Sequence, residues 1–60
     1  MEMSLFKKDG EVWTRFKVSV KQFRNWKIIL EIKYSVDTRS PVRESSRFIY
    51  FEQKGDFLNG

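Results

Sequence analysis

Trp26-Lys27-Ile28-Ile29-Leu30-Glu31-Ile32-Lys33-Tyr34-Ser35-Val36 is the stretch on whose reading the fold turns. Trp26, Ile28, Leu30, Ile32, Tyr34 and Val36 alternate with Lys27, Ile29, Glu31, Lys33 and Ser35. Successive side chains of a strand point to opposite faces, so apolar residues at every second position mark a strand with one buried side. A helix would scatter the same residues around its circumference. The period therefore predicts a long strand over 26–36. The segment Lys21-Gln22-Phe23-Arg24-Asn25 before it is short enough for an antiparallel connection.

Working outward, Phe6-Lys7-Lys8-Asp9-Gly10-Glu11-Val12-Trp13 carries the strongest local signal. Asp-Gly suits a two-residue type I′ turn, whose central residues both need positive φ. In that register Lys8 faces Glu11, Phe6 faces Trp13 and Ser4 faces Arg15, on the same side as Lys17. Met3, Leu5, Val12, Phe16, Val18 and Val20 then form the core side. A last strand is expected at Arg47–Glu52, where Phe48-Ile49-Tyr50-Phe51 is uninterrupted. The Ser-, Pro- and charge-rich stretch 37–46 reads as a mobile loop. The tail from Gln53 has room for one helical turn beginning at Asp56.

Composition agrees with strands. Val, Ile, Thr and the aromatics make 21 of the 60 residues, and alanine, the best helix former, is absent. The expected fold is all-β or β-rich: a four-stranded antiparallel meander with at most a short C-terminal helical turn, in one small domain over 1–60 with no linker. Such a sheet has a face to bury and no element to bury it, so either it curls into a small barrel or two copies pack together; apolar side chains on both faces of the middle strand and of Phe48–Phe51 favour a homodimer. A chain this short buries only about 60% of its unfolded surface, which points the same way.

The inventory limits the chemistry. With no Cys and no His there is no disulfide, no thiolate or imidazole nucleophile couple, and no imidazole or thiolate metal ligand. No cofactor and no metal are expected, and a non-enzymatic role is favoured. The opening residues contain no long apolar run, so neither a signal peptide nor a membrane span is expected. Cytoplasm, including the nucleoid, is the expected location.

The net charge is +4, from 12 basic and 8 acidic residues, and it is unevenly placed. Between Val12 and Leu30 stand Arg15, Lys17, Lys21, Arg24 and Lys27 with no acid, while the rest of the chain nets −1. Trp13, Phe23 and Trp26 are interleaved with those bases. Basic side chains neutralise phosphates and release counterions, and a ring stacks on any base, so this combination suits single-stranded DNA or RNA. Trp13 is a candidate because its face carries Arg15 and Lys17, although a cross-strand pair with Phe6 explains it equally. Trp26, beside Ile28 and Leu30, reads as core. Phe23, between Lys21 and Arg24, reads as a stacking residue.

Val18-Ser19-Val20-Lys21-Gln22-Phe23-Arg24, followed by Ile28-Ile29-Leu30-Glu31-Ile32-Lys33, resembles the core of the positive cofactor four family. That family comprises transcriptional coactivators and related single-stranded DNA-binding proteins. The resemblance implies a curved four-stranded antiparallel sheet followed by a helix, working as a dimer. It also implies that Phe23 stacks on a base, that Arg24, Lys27 and Lys33 line the backbone path, and that a basic loop holds Arg39, Arg43 and Arg47. A second likeness links Phe6–Arg15 to the opening hairpin of integrase arm-binding domains, three-stranded sheets backed by a helix that read double-stranded DNA.

The candidate nucleic-acid-binding residues are thus Trp13, Arg15, Lys17, Lys21, Phe23, Arg24, Lys27, Lys33, Arg43 and Arg47. The competing expectation is a small interaction protein or inhibitor, of phage or antitoxin type. Its basic strands would meet an acidic protein surface or pair with another sheet edge.

Overall fold

The structure, a computed structural model, describes residues 1–58. Strand β1 (Glu2–Lys8) and strand β2 (Glu11–Ser19) form the expected hairpin, with Lys8 opposite Glu11, Phe6 opposite Trp13 and Ser4 opposite Arg15. The turn takes positive φ at both central positions, 51° at Asp9 and 78° at Gly10. Local chemistry alone set this register, because few residue pairs other than Asp-Gly tolerate that geometry.

The chain then departs from its two-residue period. Val20–Gln22 forms a 3₁₀ turn capped by the Ser19 hydroxyl, which accepts from the Lys21 N–H at 3.2 Å. It leads directly into helix α1 (Phe23–Lys33). The strand expected over 26–36 is therefore mostly helix. The reason is a second period hidden in the same residues. Phe23, Trp26, Leu30 and Tyr34 are spaced three, four and four apart, so they share one side of a helix. That side lies on the sheet, with Leu30 fully buried and Tyr34 nearly so. Ile28 and Ile32, which the strand reading buried, are 58% and 77% exposed. The lack of alanine does not prevent this, since isoleucine costs only a few tenths of a kcal/mol relative to it. The helix ends where Ser35 adopts φ 57° and the Val36 N–H donates to the Leu30 carbonyl at 2.9 Å.

Two further strands complete the sheet. Strand β3 (Arg43–Glu44) and strand β4 (Phe48–Lys54) pair antiparallel, and β4 inserts next to β2, giving the order β1-β2-β4-β3. The sheet thus has four antiparallel strands, as expected, but the third is the short β3. Within 37–46 the chain forms β3 and several local hydrogen bonds. Asp37 accepts from the Arg39 N–H at 3.1 Å, buried Thr38 donates to Glu31, and the Ser45 hydroxyl accepts from the Phe48 N–H at 3.1 Å.

The core lies between α1 and one sheet face: Phe16, Val18, Leu30, Tyr34, Val36, Ile49 and Phe51, flanked by Phe23, Trp26 and Phe57. Met3 is half-buried against it, whereas Leu5 and Val20, also expected inside, are exposed. Among the described residues no helical turn begins at Asp56, and 59–60 lie outside them. Instead, Phe57 closes the core, 6.1 Å from the Phe16 ring and 5.6 Å from that of Tyr34. Buried Thr14 holds that tail, donating to the Gly55 carbonyl at 2.7 Å and accepting from the Phe57 N–H at 3.1 Å. Gly55 sits at φ 119°, a conformation that L side chains rarely adopt, and a Cβ there would meet the Phe57 ring at 3.4 Å.

The helix removes the premise for the expected dimer, because the apolar sheet face already has a cover. No helix among the described residues is long and apolar enough to cross a membrane.

Candidate nucleic-acid interface

A sheet with a helix on one face leaves the other open. Strand alternation and the observed registers decide what stands there. From β1 come Glu2, Ser4, Phe6 and Lys8. β2 adds Glu11, Trp13, Arg15 and Lys17, β4 adds Phe48, Tyr50, Glu52 and Lys54, and β3 adds Arg43. The face thus holds rings and cations together, and it pairs them. Lys8 lies 4.7 Å over Trp13, Arg15 lies 4.5 Å over Phe6, Lys17 lies 4.2 Å over Phe48 and Arg43 lies 4.1 Å over Tyr50. Each such pair is worth about 0.5–1 kcal/mol at an exposed site. The rings of Phe6 and Trp13 are themselves neighbours at 6.4 Å.

Acids hold three cations of this face in place. Arg15 donates to Glu52 at 2.9 Å, Lys54 reaches Glu11 at 3.0 Å and Lys17 reaches Glu2 at 3.9 Å. Arg15 is therefore fixed from β1 to β4, with Phe6 under its guanidinium and Glu52 at its edge. The Trp13 indole N–H is covered from solvent and has no hydrogen-bond partner among the described residues.

Shallow grooves lead off this face. One is lined by Arg15, Val42, Arg43, Tyr50 and Glu52. The other, lined by Ser19, Val20, Lys21, Ser46, Arg47 and Phe48, carries two more cations to the end of the sheet. The Val20 N–H donates to the Arg47 carbonyl at 2.9 Å, which brings Lys21 and Arg47 to one edge.

The ten expected residues thus divide four ways. Trp13, Arg15, Lys17 and Arg43 share the open face, and Lys21 and Arg47 flank it. Arg24, Lys27 and Lys33 stand on α1, across the sheet from the rings, and the Lys33 ammonium lies 5.4 Å from the Tyr34 ring. Phe23 is the clear correction. Its ring stacks on Phe51 at 5.9 Å with 12° between planes, half-buried against the core on the helix side of the sheet rather than on the open face. The helical turn that begins there rotates it inward. The acid-free run from Val12 to Leu30 therefore splits between the two sides of the sheet.

Three rings escaped the sequence reading: Phe6 as more than a partner for Trp13, and Phe48 and Tyr50 entirely. The alternation of Phe48 and Tyr50 with Ile49 and Phe51 contains the signal. Only the pairing of β4 with β2 shows which of the two sets faces out.

Away from this face, just beyond α1, Asp37 is shifted by its neighbour. The Arg39 backbone N–H, and then its guanidinium, hold the Asp37 carboxyl below the usual carboxylate range.

No protein-family model matches the chain, and neither a curated protein nor a solved structure does. The segment Ile28–Lys33, an aliphatic strand in the likeness to the positive cofactor four family, is helical here. A helix does stand behind the hairpin, on the face opposite the rings.

Proposed function

We propose that this protein binds single-stranded nucleic acid across the open face of its sheet. One observation carries the reading: Phe6, Trp13, Phe48 and Tyr50 stand on an uncovered sheet face, each beneath a lysine or arginine of a cross-strand or diagonal neighbour. Rings on an open four-stranded sheet serve as stacking platforms for unpaired bases, at roughly 1–3 kcal/mol per base. A duplex hides its base faces, so rings arranged this way favour single strands.

The cations give the mechanism. In the free protein each occupies the ring face that a base would use. A nucleotide brings both a base and a phosphate. The base displaces the cation from the ring, and the phosphate receives it, with a charge-assisted hydrogen bond replacing a weak cation–π pair. Stacking and phosphate pairing therefore occur together, and neither a free base nor a free phosphate alone gains both.

Fluorescence anisotropy of an end-labelled oligothymidylate and its uridine counterpart, read from low to high salt, tests the reading. With Lys8, Arg15, Lys17 and Arg43 on phosphates, log affinity should fall against log salt with a slope of about −3. No binding at low salt overturns the proposal. So does binding that survives Tyr50→Ala and Trp13→Ala but is abolished in Arg24→Ala/Lys27→Ala, since the ligand would then lie on the helix.

A further inference from the structure

Helix α1 has two apolar sides. Phe23, Trp26 and Leu30 face the sheet, while Ile28 (58% exposed), Ile32 (77%) and Ile29 (37%) face away from it. A surface helix that needs one apolar stripe and carries two has an unmet partner on the second. The charged residues beside this stripe indicate what covers it. At 3.6 residues per turn, Arg24 and Glu31 fall within about 20° of each other around the helix axis, on the same flank and two turns apart. A helix edge with a cation near one end and an acid near the other is complementary to itself when turned end to end.

From this we infer that two copies of the chain associate through α1, packed antiparallel about a two-fold axis near Ile28. Arg24 then meets the partner's Glu31, and Glu31 meets the partner's Arg24, while the two Ile28 side chains pack across the axis. Ile32 lies along the aliphatic stem of the partner's Arg24, which can cover an apolar side chain while its charge reaches outward. Glu31 already accepts from the Thr38 hydroxyl, and a carboxylate has capacity for a further donor. Lys33, on the opposite flank, comes level with the partner's Gln22 and meets no like charge. A parallel pairing would instead leave Arg24 and the partner's Glu31 two turns apart and on opposite flanks, so neither ion pair forms.

One pair of 11-residue helices is a small interface, below the roughly 1,000 Å² usual for a stable one. The dimer is therefore weak and concentration-dependent. Because the sheet separates α1 from the open face, the association leaves both ring-bearing faces outward. It stands independently of what those faces bind.

Analytical ultracentrifugation of the whole chain without nucleic acid, from a few micromolar to about a millimolar, gives the readout, with circular dichroism as the check on folding. The wild type should move from the mass of one chain toward that of two, and Ile28→Glu and Ile32→Glu should each weaken association at least tenfold. The chain has no cysteine, so Ile28→Cys provides a route that adds no charge. On mild oxidation it should give a disulfide-linked dimer at a protein concentration where Ser4→Cys, on the open face, gives none. A wild type that stays monomeric throughout overturns the inference. So does a dimer that both glutamate variants leave intact, or a stripe that binds vesicles of phosphatidylcholine with phosphatidylserine while the protein remains monomeric.

Discussion

The two faces of this sheet are built from similar residues and do opposite things with them. On the covered face rings meet rings: Phe16 with Tyr34 at 5.1 Å, Phe23 with Phe51 at 5.9 Å, and Tyr34 edge-on to Phe57 at 5.6 Å. On the open face rings meet cations, at 4.1 to 4.7 Å. The contrast shows that an aromatic residue's role here follows from what lies across from it. A ring that packs under α1 is sealed and contributes stability. A ring of the open face under a lysine or arginine lies at the surface, and in the function proposed above a base takes that cation's place.

The covered face gives the largest expected effect. Phe16 is fully buried, so Phe16→Ala should cost about 3–5 kcal/mol. A domain of this size has only about 3–9 kcal/mol in total. Urea denaturation should therefore find the variant largely unfolded before denaturant is added. A well-folded Phe16→Ala protein would mean that the core lies elsewhere.

Exchanging the two kinds of ring sharpens the contrast further. Phe23→Ala should lower stability by about 2 kcal/mol or more and leave oligonucleotide affinity of the folded molecules unchanged. Tyr50→Ala should do the reverse, weakening affinity roughly 5- to 100-fold for want of the stacked base and costing less than about 1 kcal/mol of stability. Equal effects of both variants on both measurements would erase the distinction between the faces.

Charges give a smaller test. Removing Arg43, which lies over Tyr50, should flatten the salt dependence of binding by about 0.7, because one phosphate is left without its cation. Lys33→Ala, across the sheet, should leave that slope where it was. The smallest effect concerns Asp37. Its folded carboxyl titrates below the unfolded one, so its contribution is present above the ordinary value and fades as pH falls through the lowered one. In an NMR titration, Arg39→Ala should raise the Asp37 midpoint only part of the way, because the backbone N–H remains. A full return to the ordinary range would assign the whole shift to the guanidinium.

Much of the sheet was legible in the residues. Asp9-Gly10 fixed a register that the structure reproduces pair for pair, because the information is local. Phe48–Phe51 marked β4 for the same reason. Residues 26–36 misled because they satisfy two periods at once, and their strand reading left the sheet without a cover while their helical reading supplies one. The run Phe23, Trp26, Leu30, Tyr34 was the available signal. The site followed the same division. Trp13, Arg15 and Lys17 could be placed on one face from the hairpin register, whereas placing Phe48 and Tyr50 beside them needed knowledge of which strand lies next to β2.

Residue identity and close neighbours determined the hairpin, the place of β4, the excess of basic residues and the absence of thiol and imidazole chemistry. Only the tertiary structure decided that 23–33 is helical, that Phe23 points inward and that one sheet face stays open. Intrinsic preferences for helix over strand differ by tenths of a kcal/mol per residue. Burying apolar surface is worth about 25 cal/mol per Å², which comes to a kcal/mol or more for each large side chain. The choice therefore went to the arrangement that covers Phe16 and Val18 from β2 together with Ile49 and Phe51, which lie more than fifteen residues beyond the helix in the chain and under it in space.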